Sequence, residues 1–125
     1  MPVRSLVAVL VLVLASAPGA SPTRAQGPRV IEITAERFEF WPSEVVVAEG
    51  EQVELRLRSD DTMHGFRIIG AGIGAGTNVL IPKRGSGYVV VTYIGDRPGR
   101  YTFECSRMCG AGHNFMRGVL VVRPQ

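Results

Sequence analysis

The sequence predicts an all-β protein, a Greek-key sandwich of seven or eight short strands, and three observations carry that expectation. Apolar residues recur with a period of two: Val53, Leu55 and Leu57 alternate with Glu54, Arg56 and Arg58, and Tyr101 and Phe103 alternate with Thr102 and Glu104. That period puts one set of side chains on each face of a strand. Turn-forming clusters interrupt the pattern at short spacing, and no window after residue 26 sustains a helical period. Many short strands joined by tight turns pack as two sheets over one core, here expected to be antiparallel.

Taken in order, the chain begins with Arg4, an apolar run from Leu6 to Ala15, and then small residues and prolines as far as Gln26. This is the pattern of a secretory signal peptide, assigned to residues 1–25. Thr23 and Ala25 offer one cleavage point and Ala17 another. The apolar run is about 15 Å long as a helix, half of a bilayer core, which disfavours a permanent span. Residues 26–29 read as a linker and 30–125 as one domain. Strands are expected at Val30 to Thr34, Val45 to Ala48, Val53 to Leu57, Phe66 to Ile69, Val79 to Ile81, Tyr88 to Tyr93, Tyr101 to Phe103 and Val119 to Val122, all rich in β-branched or aromatic residues. Between them lie Glu49-Gly50-Glu51, Ser59-Asp60-Asp61, the glycines from Gly70 to Gly76, Arg84-Gly85-Ser86-Gly87 and Asp96-Arg97-Pro98-Gly99. Phe38, Phe40 and Trp41 read as core and rim aromatics, and Met63 and Met108 as packing.

Charge excludes one class of partner. The precursor carries +3, but removing Arg4 and Arg24 from its 14 basic residues leaves 12 against 11 acidic ones. Lys83 is the sole lysine, and no basic stripe with interleaved aromatics appears, so a nucleic-acid partner is not expected. About 100 residues make one small domain, too little for separate cofactor and substrate domains.

The chemistry is concentrated in CSRMCGAGHNFM, from Cys105 to Met116. Gly110 and Gly112 allow this inter-strand segment to fold tightly, so that Cys105, Cys109, His113 and Met116 can converge. The chain's second histidine, His64, stands at the start of an expected strand and can belong to the same site. Two cysteines alone in an exported domain would suggest a short disulfide. With two histidines they could also form a tetrahedral zinc site, the nearest metal rival, although zinc leaves Met116 idle. Thiolate, thioether and imidazole together favour copper. A mononuclear blue site needs a single cysteine, so the second thiolate asks for a second metal. Two coppers bridged by both sulfurs would use all five side chains, with Met116 and a backbone carbonyl of the loop in the weak axial positions.

His64-Gly65-Phe66 followed by CSRMCGAGHNFM resembles the binuclear copper (CuA) domain of cytochrome c oxidase subunit II, and similar loops occur in the copper domain of nitrous oxide reductase. The resemblance runs over roughly residues 30 to 123, through Phe38-Glu39-Phe40, Pro42, the Glu49-Gly50 turn and Pro98-Gly99-Arg100-Tyr101. It implies a cupredoxin-like sandwich in which His64, Cys105, Cys109, His113 and Met116 are side-chain ligands and the carbonyl of Arg107 completes the site. Arg107 stands where many members carry an acid that also helps bind magnesium, and a glycine-rich segment follows the first histidine. The implied function is an exported, periplasmic electron carrier rather than an enzyme, with a c-type cytochrome or an oxidase catalytic subunit as partner. Membrane contact would come only through a partner or an uncleaved signal. The rivals are a periplasmic copper carrier and a thiol oxidoreductase using Cys105 and Cys109, which requires an exposed thiol of low pKa.

Overall fold

In the computed structural model, residues 26–125 are described, together with Met1 and Gly19. The rest of the signal peptide assigned to residues 1–25 lies outside the described residues. The expected alternation becomes strands: β1 (Arg29–Glu36), β2 (Glu39–Trp41), β3 (Glu44–Ala48), β4 (Gln52–Ser59), β5 (His64–Ile69), β6 (Val79–Ile81), β7 (Val89–Ile94), β8 (Gly99–Glu104) and β9 (Arg117–Arg123). One sheet has the order β2-β1-β4-β7 and the other β3-β9-β8-β5-β6. The chain passes repeatedly between them, so each sheet mixes strands distant in sequence.

Two expectations are corrected. The sheets are not wholly antiparallel: β1 pairs parallel with β4, Arg29 opposite Val53, and β3 pairs parallel with β9, Glu44 opposite Val119. Parallel neighbours need a crossover, supplied by β2 and β3 between β1 and β4 and by β4 to β8 between β3 and β9. β2 was not expected, because three residues are too few to show a period. It forms by antiparallel pairing with β1, Ala35 opposite Phe40.

The inward faces meet in one core. Val53, Leu55 and Leu57 of β4 are buried with Ile33 and Ala35 of β1 and Val91 and Tyr93 of β7. Phe40, Phe66 and Phe103 pack as a trio with ring centroids 5.3 to 5.7 Å apart. Such ring pairs are favourable beyond their buried area. Phe66 lies two residues after His64, and Phe103 two before Cys105, so the trio underlies the ends of the strands that bear these residues. Trp41 is instead 72% exposed.

Candidate metal centre

His64 opens β5 and is fully buried. The turn before it supplies an anchor: Asp61 Oδ1 accepts the His64 Nε2–H at 2.7 Å and the Thr62 N–H at 2.7 Å, while Oδ2 accepts the Arg37 N–H at 2.8 Å. Burial pushes the Asp61 carboxyl up, but those hydrogen bonds outweigh it and hold it below its ordinary value. With Nε2 committed, Nδ1 is left buried without a hydrogen-bond partner. An orphaned buried acceptor is costly unless something else uses its lone pair. His64, Cys105 and Cys109 each offer a ligand atom, all within 4.8 Å of one another.

The cysteines arrive from β8, the strand next to β5 in the same sheet. Cys105 follows β8 directly, and its N–H donates to the Met116 carbonyl at 3.0 Å, closing the segment between them into a loop. A single 3-10 turn, His113–Phe115, stabilised by bonds from Phe115 N–H to Gly112 and from Met116 N–H to His113, then feeds into β9. Gly65 lets this loop lie close against β5, since a methyl there would come within 2.4 Å of Ser106 Oγ and 2.7 Å of Arg107 N.

All six residues expected at the site are brought together. Cys105 Sγ lies 3.6 Å from Cys109 Sγ and 3.0 Å from the Arg107 carbonyl oxygen. Cys109 Sγ lies 3.8 Å from His113 Nδ1 and 3.8 Å from Met116 Sδ. Met116 is fully buried, whereas His113 is half-buried. Both cysteines are free and buried, and burial, reinforced by Cys105, pushes the Cys109 thiol up to about 11. A cavity of about 180 Å³ lined by Glu104, Cys105, His113, Asn114 and Arg117 adjoins the site. Glu104 there is bonded by Arg67 and lies 3.8 Å from Arg117, its cross-strand neighbours in β5 and β9. Met108, expected to pack, is 72% exposed on the loop.

Asp61 and Arg37 were missed by sequence reasoning. Asp61 carried a signal in its place three residues before His64, hidden by its turn-forming neighbours. Arg37 carried none, because its contact with the loop spans 72 residues of sequence.

A β-sandwich with soft donors gathered where one loop closes its end defines the cupredoxin class, and the chain belongs to it: the model of the cupredoxin-like domain family matches residues 5–122. More particularly, it is homologous to cytochrome c oxidase subunit 2. It is 31% identical over 111 residues to that protein from Thermus thermophilus, covering 85% of this chain and 78% of the relative. A second Thermus thermophilus protein of the same name is matched over 62% of its length. Among solved structures, the periplasmic domain of subunit II of cytochrome oxidase from Bradyrhizobium japonicum superposes with a TM-score of 0.65 at 15% identity, covering 80% of this chain and 87% of that one. Auracyanin A, a blue copper protein from Chloroflexus aurantiacus, superposes with 0.62 at 22% identity, covering 78% and 100%. These two likenesses concern the fold.

Proposed function

We propose that the domain is an exported electron-transfer module with a binuclear copper centre, held by His64, Cys105, Cys109, His113, Met116 and the carbonyl of Arg107. The observation that carries this reading is the convergence of two thiols, a thioether and two imidazoles on one closed end, with the Nδ1 of His64 buried and unpartnered. That donor set fits copper and leaves no oxygen-rich cage for calcium or magnesium. Bound there, copper supplies a reversible one-electron couple.

The chain's own residues do the rest. Cys105 and Cys109 lie close enough for both sulfurs to be shared between two ions, and two thiolates exceed what one blue-copper ion needs. Asp61 fixes the tautomer and direction of His64, as carboxylates commonly do behind metal-bound histidines. The phenylalanine trio beneath excludes water and resists rearrangement when the charge changes. The half-buried His113 offers a route from the site to the surface, where a c-type cytochrome or an oxidase catalytic subunit would dock. The module transfers electrons for a partner and catalyses no reaction alone. A thiol oxidoreductase is less well supported, because burial raises the Cys109 thiol rather than lowering it.

The test is copper content with an EPR spectrum on protein loaded with copper. Two coppers per chain and one electron coupled to both nuclei are expected. One copper with a four-line spectrum would falsify the binuclear reading, and weak, exchangeable Cu(I) alone favours a copper carrier.

A further inference from the structure

The turn between β1 and β2 touches both halves of the site. The main-chain N–H of Arg37 donates to Asp61 Oδ2 at 2.8 Å, the same carboxylate that holds His64. Its side-chain Nε–H donates to the carbonyl of Cys109 at 2.9 Å. The neighbouring Phe38 ring fills the space against Gly110 and Gly112, where an added methyl would come within 2.9 and 2.2 Å of it. The loop has few other ties: the Cys105 N–H to Met116 carbonyl bond closes its base, and the remaining backbone bonds within it are local turn bonds such as His113 N–H to Gly110. Among the described residues the Arg37 guanidinium forms no ion pair, so no carboxylate in direct contact cancels its charge.

We propose that Arg37 is a positioning residue of the metal centre. Its Nε–H bond holds the Cys109 end of the ligand loop in place relative to His64, and its fixed charge favours the reduced state. The second half rests on the copper reading. Reduction adds negative charge to a centre whose electron density is shared by the cysteine sulfurs. A cation at the adjacent carbonyl stabilises that state more than the oxidised one. The first half stands without metal, because a hydrogen bond from a charged donor to a loop carbonyl resists local opening whatever the site holds.

Two substitutions separate the effects. Arg37→Gln places an uncharged N–H donor at the side-chain position of Nε, whereas Arg37→Met places a methyl there. In metal-free reduced protein, amide hydrogen exchange of residues 106–115 should be only slightly faster in Arg37→Gln, which keeps a neutral N–H donor, and about tenfold or more faster in Arg37→Met, the worth of one charge-assisted hydrogen bond. Exchange in β4 should be unaffected in both. In copper-loaded protein, both variants should have a lower reduction potential, the equilibrium constant for reduction falling about 3- to 10-fold. Wild-type loop exchange in Arg37→Met, or acceleration spread equally over β4, overturns the positioning role. An unchanged potential in Arg37→Gln overturns the charge effect. Wild-type protein that takes up no copper overturns the copper reading and the charge effect with it, and the exchange comparison still decides the positioning role.

Discussion

At the residue scale, the candidate donors would differ in the work they do. His113 presents Nδ1 to Cys109 Sγ, and an imidazole is a strong equatorial ligand. Met116 presents a thioether from a fully buried position, and thioethers in cupredoxin-type sites are weak and axial. Met116→Leu also roughly conserves volume, so the core should tolerate it at a cost below about 1.5 kcal/mol. If the centre holds two coppers as proposed, Met116→Leu should retain both with a shifted potential and His113→Ala should lose metal. Metal analysis on the two purified variants decides it, and equal loss in both would make Met116 a primary ligand. His64 differs again: its direction is set by Asp61, a residue whose role becomes visible only when the turn and the strand are seen together.

At the element scale, the sandwich is closed by ties that join strands and turns remote in sequence. At the end of the β3–β4 turn, Glu51 accepts two hydrogen bonds from Arg29 at the start of β1, at 2.7 and 3.1 Å, and one from the Ala48 N–H at 2.8 Å. The bond from Arg29, then that from Ala48, holds the Glu51 carboxyl below its ordinary value, and desolvation opposes them. A carboxyl with a lower pKa in the folded state contributes stability above its unfolded value, and loses it as pH falls through the folded one. Both partners keep solvent contact, at 50% and 28% side-chain exposure, so screening limits the contribution to under about 1 kcal/mol. Glu51→Gln should therefore be slightly less stable than the parent at neutral pH, with the gap closing in acid as the pH falls through the lowered folded-state value. Denaturant midpoints at neutral and acid pH measure this, and a gap that persists in acid would point to a lost contact other than the ion pair.

At the scale of the whole molecule, the site sits at one end of the sandwich beneath an exposed rim. Phe115 and Met108 stand 83% and 72% exposed on the ligand loop, and Arg107 and Arg117 are exposed near them. An apolar spot with cationic neighbours suits a redox partner with an acidic rim, and such charges act more on the encounter rate than on final affinity. Electron transfer to a soluble acidic partner should slow as ionic strength rises. It should slow again in the Arg107→Gln, Arg117→Gln double variant, since Arg107 would serve the site through its carbonyl and its side chain can change charge without removing that donor. Stopped-flow rates at low and high salt provide the check, and indifference to both changes would move docking away from this rim.

How far each feature was legible follows the same division of scales. Alternation in β4 and β8 is local, since a period of two is imposed by the pleat itself, and so the strands and their inward residues could be read directly. The candidate donors could be named because Cys105, Cys109, His113 and Met116 share one short loop, and His64 was the only other histidine available to join them. Short elements and long-range pairings were out of reach. β2 has no period of its own and exists by pairing with β1, and the parallel registers of β1 with β4 and β3 with β9 depend on where the intervening chain crosses between sheets. Met108 and Trp41, apolar in composition, proved exposed, because burial is decided by what lies opposite. The sequence by itself determined the strand alternation and the soft side chains available as candidate donors. The tertiary structure alone decided that Asp61 turns His64, that Arg37 and Phe38 press on the cysteine loop and that Nδ1 is left free. Those contacts join segments far apart along the chain, and local periodicity carries no information about them.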